Sequence, residues 1–280
     1  MLGAITGDII VSRFEFNGIK STDFDLLGRG CRYTDDSAMT IAVAEWLLDD
    51  PAHTPEALEQ KMVKYGELDP GAGFGGKFYN WLFNPVKLWP DGMRRPYNSW
   101  GNGSAMRVSA VGWTFDSLEE TERVAEISAN ITHNHPEGIK GAQATAAAVV
   151  MARNGASKEM VRSYISNKFG YDLNRTIEQI RPSYHFEVSC QESVPEAIIA
   201  FLDSTDYESS IRLAVSLGGD ADTQACIAGG IAEAFYGMPD DLVEDIGYHL
   251  PPIYKTNIIR LADYSAYRSH REQLRRCWRK

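Results

Sequence analysis

The chain has 280 residues, 44% of them hydrophobic, enough to bury a substantial core, and its length fits one domain spanning 1–280. A formal net charge of −10 argues against general affinity for nucleic acid or anionic membranes, because the long-range field repels both. Four cysteines (Cys31, Cys190, Cys226 and Cys277) lie far apart with no Cys-x-x-Cys, so neither a zinc ribbon nor a disulfide framework is indicated; buried thiols in a reducing cytoplasm are expected.

Residues Met1 to Asp8 lack the basic flank and long apolar core of a signal peptide, and no later run has membrane-spanning length, so a cytoplasmic protein with no membrane partner is expected. The segment from Gly3 to Ile10 reads as a helix of small residues, in which Gly3, Ala4 and Gly7 permit close packing. Asp8 reads as a cap or as core support. Glu15, between Phe14 and Phe16, opens a loop that runs to Arg32 and reads on composition as an exposed acid. Thr34, Asp35 and Asp36 then place a hydroxyl and two adjacent carboxylates before an amphipathic helix over Asp36 to Leu48.

A second helix is predicted over Pro55 to Leu68, after which residues 70–103 carry many glycines and prolines together with Phe74, Phe78, Tyr79, Trp81, Phe83, Trp89, Tyr97 and Trp100. This aromatic segment reads as a long loop whose rings pack in the core or stack on a ligand. Gly101, Asn102, Gly103, Ser104, Ala105 and Met106 lead into a helix through Val108 and Val111; glycines before a helix start expose N–H groups that suit a diphosphate or carboxylate. Leu118 to Ile131 is amphipathic and ends in Thr132-His133-Asn134-His135, whose spacing is not that of a zinc-binding helix. Hydrogen bonding or capping is expected of these histidines.

Glu137 to Arg153 is rich in Gly and Ala, thin enough for the centre of a bundle. Helices are further predicted at Lys158 to Lys168, Val194 to Leu202, Tyr207 to Leu217, Cys226 to Phe235, Asp241 to Leu250 and Tyr264 to Trp278, with 182–192 the one stretch that reads as a short strand. The fold class is therefore all-α, a compact single-domain bundle of many helices. Gly218-Gly219-Asp220-Ala221-Asp222-Thr223 forms a second oxygen-rich helix start. Asp and Thr are ordinary caps, but two such clusters in one chain point to a single site, because massed carboxylates repel unless cations or protons neutralise them. Hard oxygen donors suit Mg²⁺, Mn²⁺ or Ca²⁺.

In this order, Gly3-Ala4 to Gly7-Asp8, Phe14-Glu15, Thr34 to Ser37, Gly101 to Arg107, Thr132-His133 and Gly218 to Thr223 resemble the motifs of ADP-ribosylglycohydrolases over about positions 1–236. The resemblance implies an all-α fold with a binuclear Mg²⁺ or Mn²⁺ site, held by Thr34, Asp35, Asp36, Asp220, Asp222 and Thr223. It implies cleavage at the distal ribose C1 of an ADP-ribosylated protein or other acceptor, releasing ADP-ribose. Gly101 to Met106 and His133 would bind substrate, and Glu15 and Asp36 would carry the proton chemistry. A monomer is expected. One departure is Ala221, where the family usually has Thr; it falls between the ligand positions. Two other readings remain open, a non-catalytic relative that keeps the fold and a binuclear hydrolase of another ribosyl compound.

Overall fold

A computed structural model describes residues 1–278. Helix α1 (Leu2–Val11) is buried along its whole length. Helix α2 (Asp35–Asp49) starts at Thr34, whose hydroxyl accepts from the Asp36 amide, and α3 (Pro55–Leu68) starts at Thr54 with proline in its first position. The aromatic segment is not all loop, because α4 (Gly76–Phe83) crosses it. Its buried Phe78, Trp81 and Leu82 share one face at helical spacing, a signal too short to read between flanking glycines and prolines. These rings, like Phe74, are packed in the core, whereas Tyr79 and Trp100 stay exposed.

The helix expected through Val108 and Val111 is broken into α5 (Gly103–Met106) and α6 (Ser109–Thr114). Next come α7 (Leu118–Asn130) and the Ala-rich α8 (Pro136–Arg153), followed by α9 (Lys158–Phe169), stopped by Gly170 at φ +72°. After α10 (Ile177–Ile180) come α11 (Cys190–Asp203), α12 (Tyr207–Val215) and α13 (Ala221–Tyr236). The C-terminal part holds α14 (Asp240–His249), α15 (Pro252–Tyr264) and α16 (Arg271–Trp278). Helix α15 is an addition to the sequence reading, and the helix expected from Tyr264 begins as the 3₁₀ turn Ala266–His270.

The fold is all-α. The stretch 182–192 pairs only through an isolated bridge from Ser189 to Gly101 and its last three residues open α11, and no strand is present among the described residues. Helices α8 and α13 form the centre, with α1 lying along α13. That crossing is close because Gly3 and Gly7 face it: a β-carbon on Gly3 would stand 2.5 Å from the Gly229 carbonyl oxygen, and one on Gly7 would stand 2.6 Å from the Ala225 carbonyl carbon. Cys190, Cys226 and Cys277 are buried, Cys31 is partly exposed, and all four are free thiols. No helix is long and apolar enough to cross a membrane among the described residues.

Candidate active site

The N-termini of α2 and α13 meet at one end of a cavity of about 490 Å³. Both helix starts favour negative charge. Asp36 and Asp222 come from their first turns, and Asp220 precedes α13 with its side chain turned away from capping. Carboxylate oxygens of Asp8, Asp36 and Asp222 lie within 4.8 Å of one another, and so do those of Glu15, Asp220 and Asp222. Asp222 belongs to both triads. The sequence clusters thus converge, and Glu15, on the turn after α1, joins them.

Asp8 holds the α2 side of the site in place. Its two oxygens accept from the Thr34 amide (2.9 Å), the Thr34 hydroxyl (2.6 Å), the Ser37 amide (3.1 Å) and the Ser37 hydroxyl. This is the core-support role, since the chain between α1 and α2 is otherwise a long irregular loop. Thr34 is occupied by Asp8 and does not line the cavity, whereas Asp35 does line it beside Gly73 but stands outside the two triads. The Thr223 hydroxyl donates to Asp36 at 3.4 Å. Ala221 is fully buried at the first position of α13.

Packing these acids together raises their proton affinity. Burial first, then repulsion by neighbouring carboxylates, holds Asp35, Asp36 and Asp222 well above the usual carboxylate range. Glu15, half-buried, is pushed up to about 7, by burial first and then by Asp220. Such a cluster relaxes when a cation neutralises it. The residues fit one by a further observation: Asp36 Oδ1 is buried with no hydrogen-bond partner. An oxygen acceptor left unmet in the interior costs about 1–3 kcal/mol, and its chemistry is that of a hard-metal ligand.

The glycine turn forms the adjoining wall, with Gly101, Asn102, Gly103 and Met106 lining the cavity. Ser104 and Ala105 lie beneath, and the Ser104 hydroxyl donates to the Gly138 carbonyl at 2.6 Å. Only part of the expected amide cradle is free. The Gly101 amide donates to Ser99 (3.1 Å) and the Asn102 amide to the Val188 carbonyl (2.8 Å), while those of Gly103 and Ser104 have no acceptor among the described residues. The Asn102 side chain donates to Asp220 at 2.7 Å, joining this wall to the acids. His135 caps α8 through the Glu137 amide, and His133 reaches the cavity.

Several lining residues were not singled out as site residues in the sequence. Phe16 and Phe186 stack across the mouth with ring centroids 6.2 Å apart, and Arg107 lies behind the glycine turn. The Phe14-Glu15-Phe16 run hinted at the first, but residue 186 carries no local signal.

A sequence profile described as ADP-ribosylglycohydrolase matches residues 1–275. The ADP-ribosylhydrolase ARH3 of Mus musculus is 30% identical over 258 aligned residues, covering 74% of this chain and 70% of that protein. The ADP-ribosylarginine hydrolase Tri1 of Pseudomonas putida (strain GB-1) is 27% identical, covering 89% of this chain and 73% of that one. A solved structure titled as an ADP-ribosylglycohydrolase-related protein complex has the same fold, with a TM-score of 0.70, 22% identity and 94% of each chain covered. An acid-lined cavity between two helix starts, in an all-α chain matched almost end to end, makes this protein a hydrolase of the ADP-ribosylglycohydrolase family.

Proposed function

We propose that the protein removes ADP-ribose from a modified acceptor by hydrolysing the glycosidic bond at the distal ribose C1, with two divalent ions, Mg²⁺ or Mn²⁺, in the acid-lined end of the cavity. The observation that carries this reading is the pair of carboxylate triads sharing Asp222 beside a turn with unpaired amides. Asp36, Asp220, Asp222 and Thr223 would hold the ions, with Asp35 and Thr34 adjoining. When bound, such ions supply charge neutralisation for the acids and Lewis-acid polarisation of water and ribose hydroxyls.

The chain's own groups do the rest. The Gly103 amide and His133, both on the cavity lining, bind the diphosphate side of the ligand, so the distal ribose is oriented toward the carboxylates. Glu15, whose carboxylate adjoins those of Asp220 and Asp222 at the cavity, takes a proton from attacking water or delivers one to the departing acceptor. Asp36 is the second carboxylate placed for this work. Phe16 and Phe186 narrow the mouth and limit bulk water.

The test is incubation with ADP-ribosylated arginine, serine and nucleobase substrates, with Mg²⁺, with Mn²⁺ and with a chelator. Release of free ADP-ribose from at least one substrate, abolished by chelation, is expected. Absence of release from all three in the presence of metal would leave a binding protein or a hydrolase of another ribosyl compound.

A further inference from the structure

Behind the glycine turn sits a buried cation with no counter-ion. Arg107 is 1% exposed, no carboxylate is among the charges that act on it, and its Nε is buried without a partner. Its Nη2 donates to the Ser128 carbonyl (2.7 Å) and to the Thr132 hydroxyl oxygen (3.0 Å). That oxygen is also 2.7 Å from His133 Nδ1.

The proton directions follow from valence. A guanidinium only donates, so Thr132 accepts from Arg107 and keeps one hydroxyl proton to give. The only other polar atom bonded to that hydroxyl among the described residues is His133 Nδ1. Nδ1 is then the acceptor nitrogen of the ring. Burial, and next the nearby Arg107 charge, hold the imidazole neutral by pushing its pKa well below the usual value. A neutral ring carries one proton, and Nε2 is where it remains. Nε2 has no partner among the described residues and faces the glycine turn, where a β-carbon on Gly103 would stand 3.2 Å from it.

We infer that Arg107 and Thr132 are positioning residues that lock the His133 ring in the Nε2–H tautomer, so that it presents a hydrogen-bond donor to a phosphate oxygen of the ligand. The tautomer stands on the hydrogen bonds, with burial keeping the ring neutral; its use on a phosphate rests on the function proposed above. An Nδ1–H ring would instead aim a lone pair at the anion and repel it.

Long-range ¹H–¹⁵N spectra of the histidine-labelled full chain read the tautomer, with His133→Phe assigning the signal. Titration calorimetry with ADP-ribose on the Mg²⁺-loaded protein reads the consequence. Wild type is expected to show protonated Nε2 and unprotonated Nδ1 at neutral pH and at the ordinary imidazole pKa of about 6.5. Thr132→Val, nearly isosteric, is expected to release the tautomer preference and weaken ADP-ribose binding about tenfold, and Thr132→Ser to restore both. A wild-type ring protonated on Nδ1 or on both nitrogens overturns the inference, as does Thr132→Val with unchanged tautomer and affinity. Should wild type bind no ADP-ribose, the functional proposal falls, and the spectra still decide the tautomer.

Discussion

Gly7→Ala tests whether the α1–α13 crossing sets the spacing of the acids. The added methyl would stand 2.6 Å from the Ala225 carbonyl carbon, whereas carbon atoms rest at about 3.5 Å or more, so the helices must part by roughly 1 Å. The obstacle is backbone inside a buried contact, which places the cost at the upper end of overpacking, about 3 kcal/mol. For a chain of 280 residues that lowers the thermal midpoint by roughly 5 °C. Asp8 adjoins Gly7 and holds the start of α2, while Asp222 rides on α13, so the same displacement separates the two halves of the site. Mg²⁺ tolerates little deviation in its oxygen ligands, and a 10- to 100-fold loss of affinity is expected. Thermal melts in chelator and calorimetric titration with Mg²⁺ measure the two effects. Gly76→Ala is the control, since a methyl there meets no atom within 4 Å. A Gly7→Ala protein that melts and binds metal like wild type would refute the argument; one that melts early yet binds metal normally would refute the link between crossing and spacing.

Glu15→Gln keeps size and most hydrogen bonding but removes the exchangeable proton, so kcat is expected to fall on the order of 10² to 10⁴ with substrate affinity largely retained. Wild-type turnover of this variant at saturating Mg²⁺ and substrate would shift proton transfer to Asp36. Acid sensitivity should trace in part to Glu45, which is buried and bonded to Lys61 (2.8 Å), Lys64 (2.7 Å), Tyr65 and Asn257 (3.2 Å). Burial raises its pKa, but these partners outweigh burial and leave it below the usual value. A depressed folded pKa means stability that is present above the unfolded value, about 4.3, and is lost as pH falls through the folded one. Thermal midpoints measured down to about pH 3 should therefore fall less steeply in Glu45→Gln than in wild type, and parallel curves would count against it.

The convergence of the two acid clusters was legible because Asp36 and Asp222 sit where helix starts and carboxylates coincide twice in one chain. Glu15 was not legible on composition alone. It sits far from Asp220 in sequence, and only the family resemblance placed it near the acids. Helix α15 was hidden by Pro251-Pro252, which reads as a break although proline is at home in a helix's first position. Arg107, Thr132 and His133 fall inside two of the family motifs, but the hydrogen bonds that join them were not legible, because they cross from the end of α5 to the residues after α7. The capping expected of the histidines is met by His135, and of the two oxygen-rich helix starts Thr34 caps while Asp220 does not.

The bond from the Asn102 side chain to Asp220 has a thermodynamic consequence. On the function proposed above, Asp220 would be shared between a wall that meets the ligand and a cluster that meets the cation, so loading either would change what the other finds. If seating a diphosphate on the turn shifts Asn102 and alters cation affinity by some factor, the cation must alter diphosphate affinity by that same factor, since the two routes to the doubly loaded state close a cycle. The order of loading leaves the end point unchanged. It changes only the path, and on that path Asn102 is the residue both partners have to negotiate.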